Sequence, residues 1–393
     1  MMTEQSHKEK KRLLIATDNF LPRWDGISRF LSEIIPRLTE HYEITVVAPD
    51  FGTYEDPNIT IIKIPLSKFL KVGDFNIPKF KTKIIRKAVK NSDIVFSQTI
   101  GPIGSIAINA AKRYRKPVAA FIHSIEWELV PKAMKNIVLK KYSKIVAKRI
   151  AKNLYNRCDM VIMPSQNIAE LFIWNNIRTN SEIVNLGVDV DKFKPADEQS
   201  KKENREQLGI GRETIVIGYH GRISREKDLI TLLRAFSRLQ NTHDNIKLLI
   251  VGDGVKDIKK QLSARKDVIL TGAKNNPIPY LQIMDIYCIT SLTETTCLSL
   301  LEAMSCEVAP VSTEVGFIKS YIKNNVNGLF FQKQNPYHLT RQIEKLIDDP
   351  ELRHKIARNA RVTVVERFSW DKTAKGIMDA LEKLLEKHER KHK

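Results

Sequence analysis

A chain of 393 residues with 42% apolar and 28% charged residues is long enough for two domains with full cores, and its composition is that of a soluble globular protein. No apolar run approaches the ~20 residues of a membrane-spanning helix, and four cysteines without CxxC spacing argue against a disulfide framework and for free thiols in a reducing cytoplasm. The formal charge of +20, weighted toward residues 1–195, implies an anionic partner, for which nucleic acid and anionic lipid both qualify.

Residues 13–17 read as a first strand, after a polar start too short in apolar residues for a secretory leader. A loop from Asp18 to Asp25 leads to Gly26, which opens a helix with Ile27, Phe30, Leu31, Ile34, Ile35 and Leu38 on one face. Strands at Ile44–Ala48, Ile59–Ile62, Ile94–Phe96 and Val118–Ile122 alternate with helices, a doubly wound α/β pattern. His123 stands at the carboxyl end of a strand, where ligands sit in parallel sheets.

Two basic segments follow from the same reading. Lys79 to Lys90 carries Phe80, Ile84 and Ala88 on one face among six Lys and Arg. Residues 132–157 hold nine Lys and Arg, including Lys140, Lys141, Lys144 and Lys148, and no acid. There Met134, Val138, Tyr142, Val146, Ile150 and Leu154 form an i, i+4 stripe. Such helices fit a membrane surface, or equally a solvated cationic face whose stripe packs on the core. After a strand at Val161–Met163 the first domain is expected to close at 195, and the polar residues 196–213 to serve as hinge and linker.

The second domain opens with a strand at Ile215–Tyr219, then His220-Gly221-Arg222-Ile223-Ser224-Arg225-Glu226-Lys227. A guanidinium and an ammonium in a strand-to-helix loop would grip a diphosphate from two sides. Lys247–Val251 with Gly252-Asp253-Gly254 repeats the strand-to-glycine turn. Ile286–Ile289 reads as a buried strand leading to Thr293-Glu294-Thr295-Thr296-Cys297-Leu298, and Leu298 to Met304 as a helix. Glu294 and Glu302 thus flank a helix N-terminus, whose backbone would take a phosphate while the carboxylates take sugar hydroxyls. Cys297 at that terminus is expected to have a lowered thiol pKa. Helices fill 336–365, and a last helix runs to about Lys387 with a frayed basic tail.

Glu294, Leu298 and Leu301-Glu302-Ala303-Met304, with Gly221-Arg222 and Lys227, resemble the Glu-x7-Glu frame and diphosphate clamp of the family 4 retaining glycosyltransferases (glycosyl transferases group 1). The resemblance covers roughly residues 12–385. It departs at Thr295 to Cys297, at Asp25 for a usual glycine, and at Glu307 for another. It implies a GT-B fold: two Rossmann-like domains, 1–195 and 196–370, facing across a cleft, and a C-terminal helix, 371–393, crossing back to the first. The implied activity moves a hexose from a UDP- or GDP-sugar to an acceptor hydroxyl, with no metal and no cofactor. Arg222 and Lys227 would stabilise the departing diphosphate, Glu294 and His123 would hold the donor sugar, and Glu302 the ribose. Gly26, Gly252 and the backbone of Thr296, Cys297 and Leu298 would complete the donor site. Family members that glycosylate lipids favour the membrane for the basic helices, with a lipid or lipid-linked glycan as acceptor and a peripheral place on the cytoplasmic membrane face. The alternatives are a sugar-nucleotide epimerase on the same fold and a nucleic-acid-binding protein using the basic domain, although no nucleic-acid signature accompanies the charge.

Overall fold

The computed structural model describes residues 10–23, 25–72, 75–132, 137–294 and 296–392, without the side chains of 68–72, 75, 76, 132, 137, 138, 140 and 392. The chain divides into two compact units, one of residues 1–185 and 373–393 and the other of residues 186–372.

In the first unit the strands are β1 (Lys11–Ala16), β2 (Tyr42–Pro49), β3 (Ile59–Ile64), a hairpin of β4 (Leu66–Val72) and β5 (Phe75–Pro78), then β6 (Ile94–Ser97), β7 (Val118–Phe121), β8 (Met160–Met163) and β9 (Ser181–Ile183). Seven of them make a parallel sheet in the order β3-β2-β1-β6-β7-β8-β9. Central strands such as β6 and β7 are buried along their whole length, because helices cover both faces, and so they read as unbroken apolar runs. The helix Gly26–Leu38 buries Phe30, Leu31, Ile34, Ile35 and Leu38, the stripe its spacing predicts. The hairpin has no counterpart among the expected strands.

The second unit contains β10 (Ile215–His220), β11 (Ile246–Val251), β12 (Val268–Leu270), β13 (Ile286–Ile289), β14 (Ala309–Thr313) and β15 (Leu329–Phe331). They form a parallel sheet in the order β12-β11-β10-β13-β14-β15. Each sheet therefore has one place where the winding reverses, between β1 and β6 in the first and between β10 and β13 in the second. Ligands of open α/β sheets bind at that point, outside the carboxyl ends of the strands.

Several expectations need correction. The unit boundary falls at Asn185 rather than at 195, because Val188 and Phe193 are buried in the second core and the Val188 N–H donates to Phe368 O at 2.6 Å. Residues 196–213 are not a bare linker: Glu198–Gln207 is a helix capped by Asp197, whose carboxylate accepts from Ser200 N at 2.8 Å. That helix has no apolar stripe to betray it. It is anchored by the buried Arg205 guanidinium, which donates to the carbonyls of Arg212, Thr214 and Ile283 and to Asp285 Oδ2 at 2.8 Å. The tail does not fray at Lys387, since the last helix runs Trp370–His392. It buries Ile377, Ala380, Leu381 and Leu384, and Thr373 Oγ1 donates to Asn185 O at 2.8 Å.

In the two basic segments the expected apolar stripes are mostly not packed on the core. Helix Ile137–Tyr155 packs inward through Ala147, Ala151, Leu154 and Tyr155. Of the expected stripe only Leu154 is buried; Tyr142 (67%), Ile150 (50%) and Val146 are exposed, as are Leu139 and Ile145. Met134 and the Val138 side chain lie outside the described residues. Helix Thr82–Asn91 likewise packs through Ile85, Ala88 and Val89 and leaves Phe80 and Ile84 exposed.

Helix Leu298–Ser305 ends in a tight C-terminal turn, with Glu307 N donating to Met304 O at 3.0 Å and Val308 N to Ala303 O at 3.1 Å. The residue this turn places in the left-handed region is Glu307, at φ 61°. Glycine has no Cβ penalty there. Glu307→Gly is expected to raise stability by about 0.5–1 kcal/mol, read as an upward shift in thermal midpoint; a lowered midpoint would contradict the strain at this turn.

Candidate active site

The second switch point gathers most of the residues singled out in the sequence. β10 ends at His220, whose main chain is fixed from both sides by one hydroxyl: its N–H donates to Tyr287 Oη at 3.2 Å, and Tyr287 Oη donates to its carbonyl at 2.9 Å. The chain then turns at Gly221 into Arg222. Its guanidinium is exposed and lies 2.8 Å from Glu226 Oε1. A short 3₁₀ turn, Arg225–Lys227, presents Lys227 inward, and Asp228 follows at φ 47°.

Lys227 Nζ meets Glu294 Oε1 at 2.6 Å. Ser291 Oγ donates to the same oxygen, also at 2.6 Å. The loops after β10 and β13 are zipped by two more bonds: Thr290 Oγ1 donates to Lys227 O at 2.7 Å and Leu292 N to Glu226 O at 2.8 Å. Ser291 and Thr290 escaped the sequence reading because a hydroxyl residue next to a strand carries no distinguishing pattern.

Glu302, on the first turns of helix Leu298–Ser305, is 1% exposed, and its Oε2 lies 3.6 Å from His220 Nδ1. His220 was given no role from the sequence, although it too ends a strand. The helix N-terminus has no side-chain cap. Leu298 N donates to Thr296 O at 3.0 Å, so that one of its N–H groups is already engaged; Thr295 lies outside the described residues. Cys297 corrects an expectation. Burial first, then the charge of Glu294, pushes its thiol up to about 12, so the helix N-terminus does not activate it.

Gly252 sits beneath the clamp loop. A Cβ on it would lie 1.9 Å from Gly221 O, and one on Gly254 would lie 2.0 Å from Ile223 O. The turn after β11 must approach that closely because Ile223 N donates to Asp253 O at 2.8 Å and Val255 N to Ile223 O at 2.9 Å. Gly252 thus supports the loop that carries Arg222.

Gly26 and His123 belong to the other unit. Gly26 opens its helix behind Asp25, whose Oδ1 accepts from Ile27 N and Ser28 N at 3.0 Å each; among the described residues, nothing beyond its chain neighbours and its own helix's backbone lies within 4 Å of where a Gly26 Cβ would stand. At the switch point beside it, Asp18 accepts from Ile103 N at 2.9 Å and Gly104 N at 3.3 Å and so caps helix Pro102–Arg113. His123, just past β7, packs against the rings of Phe30 and Phe121, which also touch each other, with Nε2 2.9 Å from Gln98 Oε1. Burial lowers its pKa to about 3, so at neutral pH it is an uncharged hydrogen-bonding group. Three residues on, Glu126 Oε1 accepts from Tyr155 Oη at 2.7 Å and from Ser124 Oγ at 3.4 Å, and burial raises its carboxyl to about 7. Among the described residues no cluster of His, Cys, Asp and Glu is placed to hold a metal ion.

Comparison with known proteins bears on this arrangement. Residues 24–192 match Glycosyltransferase Family 4, and residues 200–363 match Glycosyl transferases group 1. The alpha-monoglucosyldiacylglycerol synthase of Streptococcus pneumoniae is 24% identical over 81% of this chain and 75% of its own length. The enzyme of the same name from Acholeplasma laidlawii is 24% identical over 90% of this chain and 92% of its own. Anabaena HepE, crystallised with UDP and with UDP-glucose, shares the fold at a TM-score of 0.78 and 20% identity in its UDP complex, over 95% of this chain and 100% of that one. Two parallel α/β units with a paired-carboxylate and cationic switch point define a glycosyltransferase of the GT-B class. Within that class the chain belongs to family 4, the glycosyl transferases group 1.

Two outcomes are expected from this geometry. Glu294→Gln removes the carboxylate that holds Lys227, so it should tighten binding of bare UDP or GDP in calorimetry while slowing sugar transfer; weaker nucleotide binding would show that the pair does not compete with phosphate. Glu126 has a folded-state pKa near 7 against an ordinary 4.5, so its stabilising contribution is complete below pH 4.5 and is lost as pH rises through about 7. The thermal midpoint of Glu126→Gln should therefore gain on that of the wild type between pH 5 and pH 8, and parallel midpoint curves would refute the shift.

Proposed function

We propose that this chain is a retaining hexosyltransferase that uses a nucleoside diphospho-sugar, UDP- or GDP-linked, and delivers the sugar to a hydroxyl of a lipid or lipid-linked glycan. The carrying observation is the grouping of Arg222, Lys227, Glu294 and Glu302 at the second switch point. Negative charge develops on the departing diphosphate, and the two cations meet it there. Lys227 turns from Glu294 to the phosphate as the donor enters, which leaves Glu294 and the hydroxyl of Ser291 for the sugar. Glu302 accepts the ribose diol. His123, held neutral, hydrogen-bonds the sugar without adding a charge. In the retaining step the acceptor oxygen bonds to the anomeric carbon on the face the diphosphate leaves. The anomeric carbon–oxygen bond to phosphate breaks, and the acceptor proton passes to a leaving phosphate oxygen, so no protein base is needed.

The lipid part of the reading rests on the relatives named for glucosyldiacylglycerol synthesis and on the exposed residues Leu139, Tyr142, Ile145 and Ile150 among Lys141, Lys144 and Lys148. The Lys140 side chain lies outside the described ones. Among the described residues no helix is long and apolar enough to cross a membrane, so peripheral docking on the cytoplasmic face is the proposed mode. Each Lys near an anionic surface contributes roughly 1 kcal/mol, and the apolar side chains add affinity that salt does not screen.

Arg222→Ala and Lys227→Ala should each lower kcat on the order of 10²-fold, measured by product mass with a UDP- or GDP-hexose and lipid extract. Near-normal turnover in both would remove the clamp from the mechanism. Changing Lys141, Lys144 and Lys148 together to Glu should abolish cosedimentation with anionic vesicles at low salt and leave nucleotide affinity intact; unchanged cosedimentation would place docking elsewhere.

A further inference from the structure

A cavity of about 510 Å³ opens in the first unit, at the amino ends of β8 and β9. This is the edge of the sheet opposite to His123, and the donor clamp lies in the other unit. The last helix forms one wall. Leu384, Lys387, His388 and Lys391 follow at i, i+3, i+4 and i+7, so they share a face. Leu384 is buried in the unit, and the two turns beyond it carry that face out as a cationic one. Residues after helix Ile137–Tyr155, among them Arg178, Thr179 and Asn180, also line it.

The charges there are unbalanced. Asp159 is the one carboxylate in the lining, and it is engaged by Lys112 and by Val118 N. Glu386 and Glu389, on other faces of the last helix, pair with Arg390 and Lys11. Among the described residues no acid pairs with Arg178, Lys387 or Lys391. Arg178 is also held in place. Its N–H donates to Asn156 Oδ1 at 2.8 Å, and the neighbouring Thr179 Oγ1 donates to Tyr155 O at 2.7 Å, the last residue of the basic helix. Three like charges facing one concavity repel each other, and an anion between them removes that cost.

We propose that this cavity binds a phosphate group, as a phosphomonoester or diphosphate. A guanidinium fork with two ammonium groups matches several charged oxygens on one small centre. The phosphate is either free in solution or the headgroup of an anionic lipid, the latter being within reach because the cavity adjoins the end of the helix proposed to dock on membranes. The site does not depend on the glycosyl-transfer reading.

The test uses the full chain carrying Arg222→Ala and Lys227→Ala, so that the donor clamp cannot supply the signal. Calorimetry with inorganic pyrophosphate should show one site, and adding Arg178→Gln or Lys387→Gln should weaken it about tenfold for each charge-assisted hydrogen bond removed. Circular dichroism and the thermal midpoint report whether these surface variants fold. No pyrophosphate binding at millimolar concentration, or binding unchanged by both substitutions in folded protein, overturns the proposal. Vesicles containing phosphatidic acid or phosphatidylserine at equal surface charge then decide the source. A preference for phosphatidic acid that vanishes in Arg178→Gln/Lys387→Gln assigns the site to a lipid headgroup. Pyrophosphate binding without such a preference assigns it to a free phosphate.

Discussion

The bond between Lys227 and Glu294 ties together the two loops of the candidate active site. It joins the ends of β10 and β13, neighbouring strands whose connections leave in opposite directions, and it is shielded on one side by Ser291. A half-buried ion pair is favourable only when geometry and further hydrogen bonds compensate for lost hydration. Here they do: the same oxygen takes both an ammonium and a hydroxyl, and the Thr290 and Leu292 bonds fix the backbone on each side. The cation proposed for phosphate is therefore positioned by the carboxylate proposed for sugar. On that proposal the two recognition tasks share one ammonium, and the contacts within the second unit hold these loops in place.

The two switch points are alike in topology and opposite in chemistry. In the first unit both helix N-termini at the reversal are filled by the protein's own acids, Asp25 on Gly26–Leu38 and Asp18 on Pro102–Arg113. Their free N–H groups and dipoles are spent, and two carboxyl groups stand where a phosphate would sit. In the second unit the helix after β13 has no side-chain cap, and Arg222 and Lys227 lie beside it. Of the two switch points, this asymmetry favours the second for a donor diphosphate. Beside those acids the first unit offers a neutral group at a strand end, His123 packed against two phenylalanines.

Much of this was legible in the sequence because it is local. The buried parallel strands are unbroken apolar runs, and the clamp and the carboxylate pair each sit within a single strand–loop–helix stretch. What was not legible depends on partners distant in the chain. Helix Glu198–Gln207 reads as linker because its anchor is one guanidinium reaching Ile283 and Asp285, some eighty residues away. Cys297 reads as an activated thiol from its place at a helix end, yet neighbours from other strands bury it, and burial outweighs the dipole. The end of the last helix reads as a frayed tail because its ion-pair partners lie far back in the chain, Glu182 for Lys383 and Lys11 for Glu389.

The basic helix shows how a correct periodicity can still assign the wrong face. Two stripes compete on Ile137–Tyr155, one of large side chains and one built on Ala147 and Ala151. Hydropathy favours the first. Packing chose the second, because small residues let a helix lie close to its neighbours while Leu154 and Tyr155 fill the remaining space. The large side chains were thereby turned outward, at a cost in exposed apolar area that monomeric proteins seldom tolerate over a contiguous patch. Lysines interleaved with them keep such a face soluble, and their long stems can lie along apolar surface while the ammonium groups stay in water. A face of that kind needs no conformational change to meet an anionic bilayer. In the proposed docking, the same lysines that keep it wetted in solution would be attracted to the headgroups, and the side chains between them would gain the burial that the core did not provide.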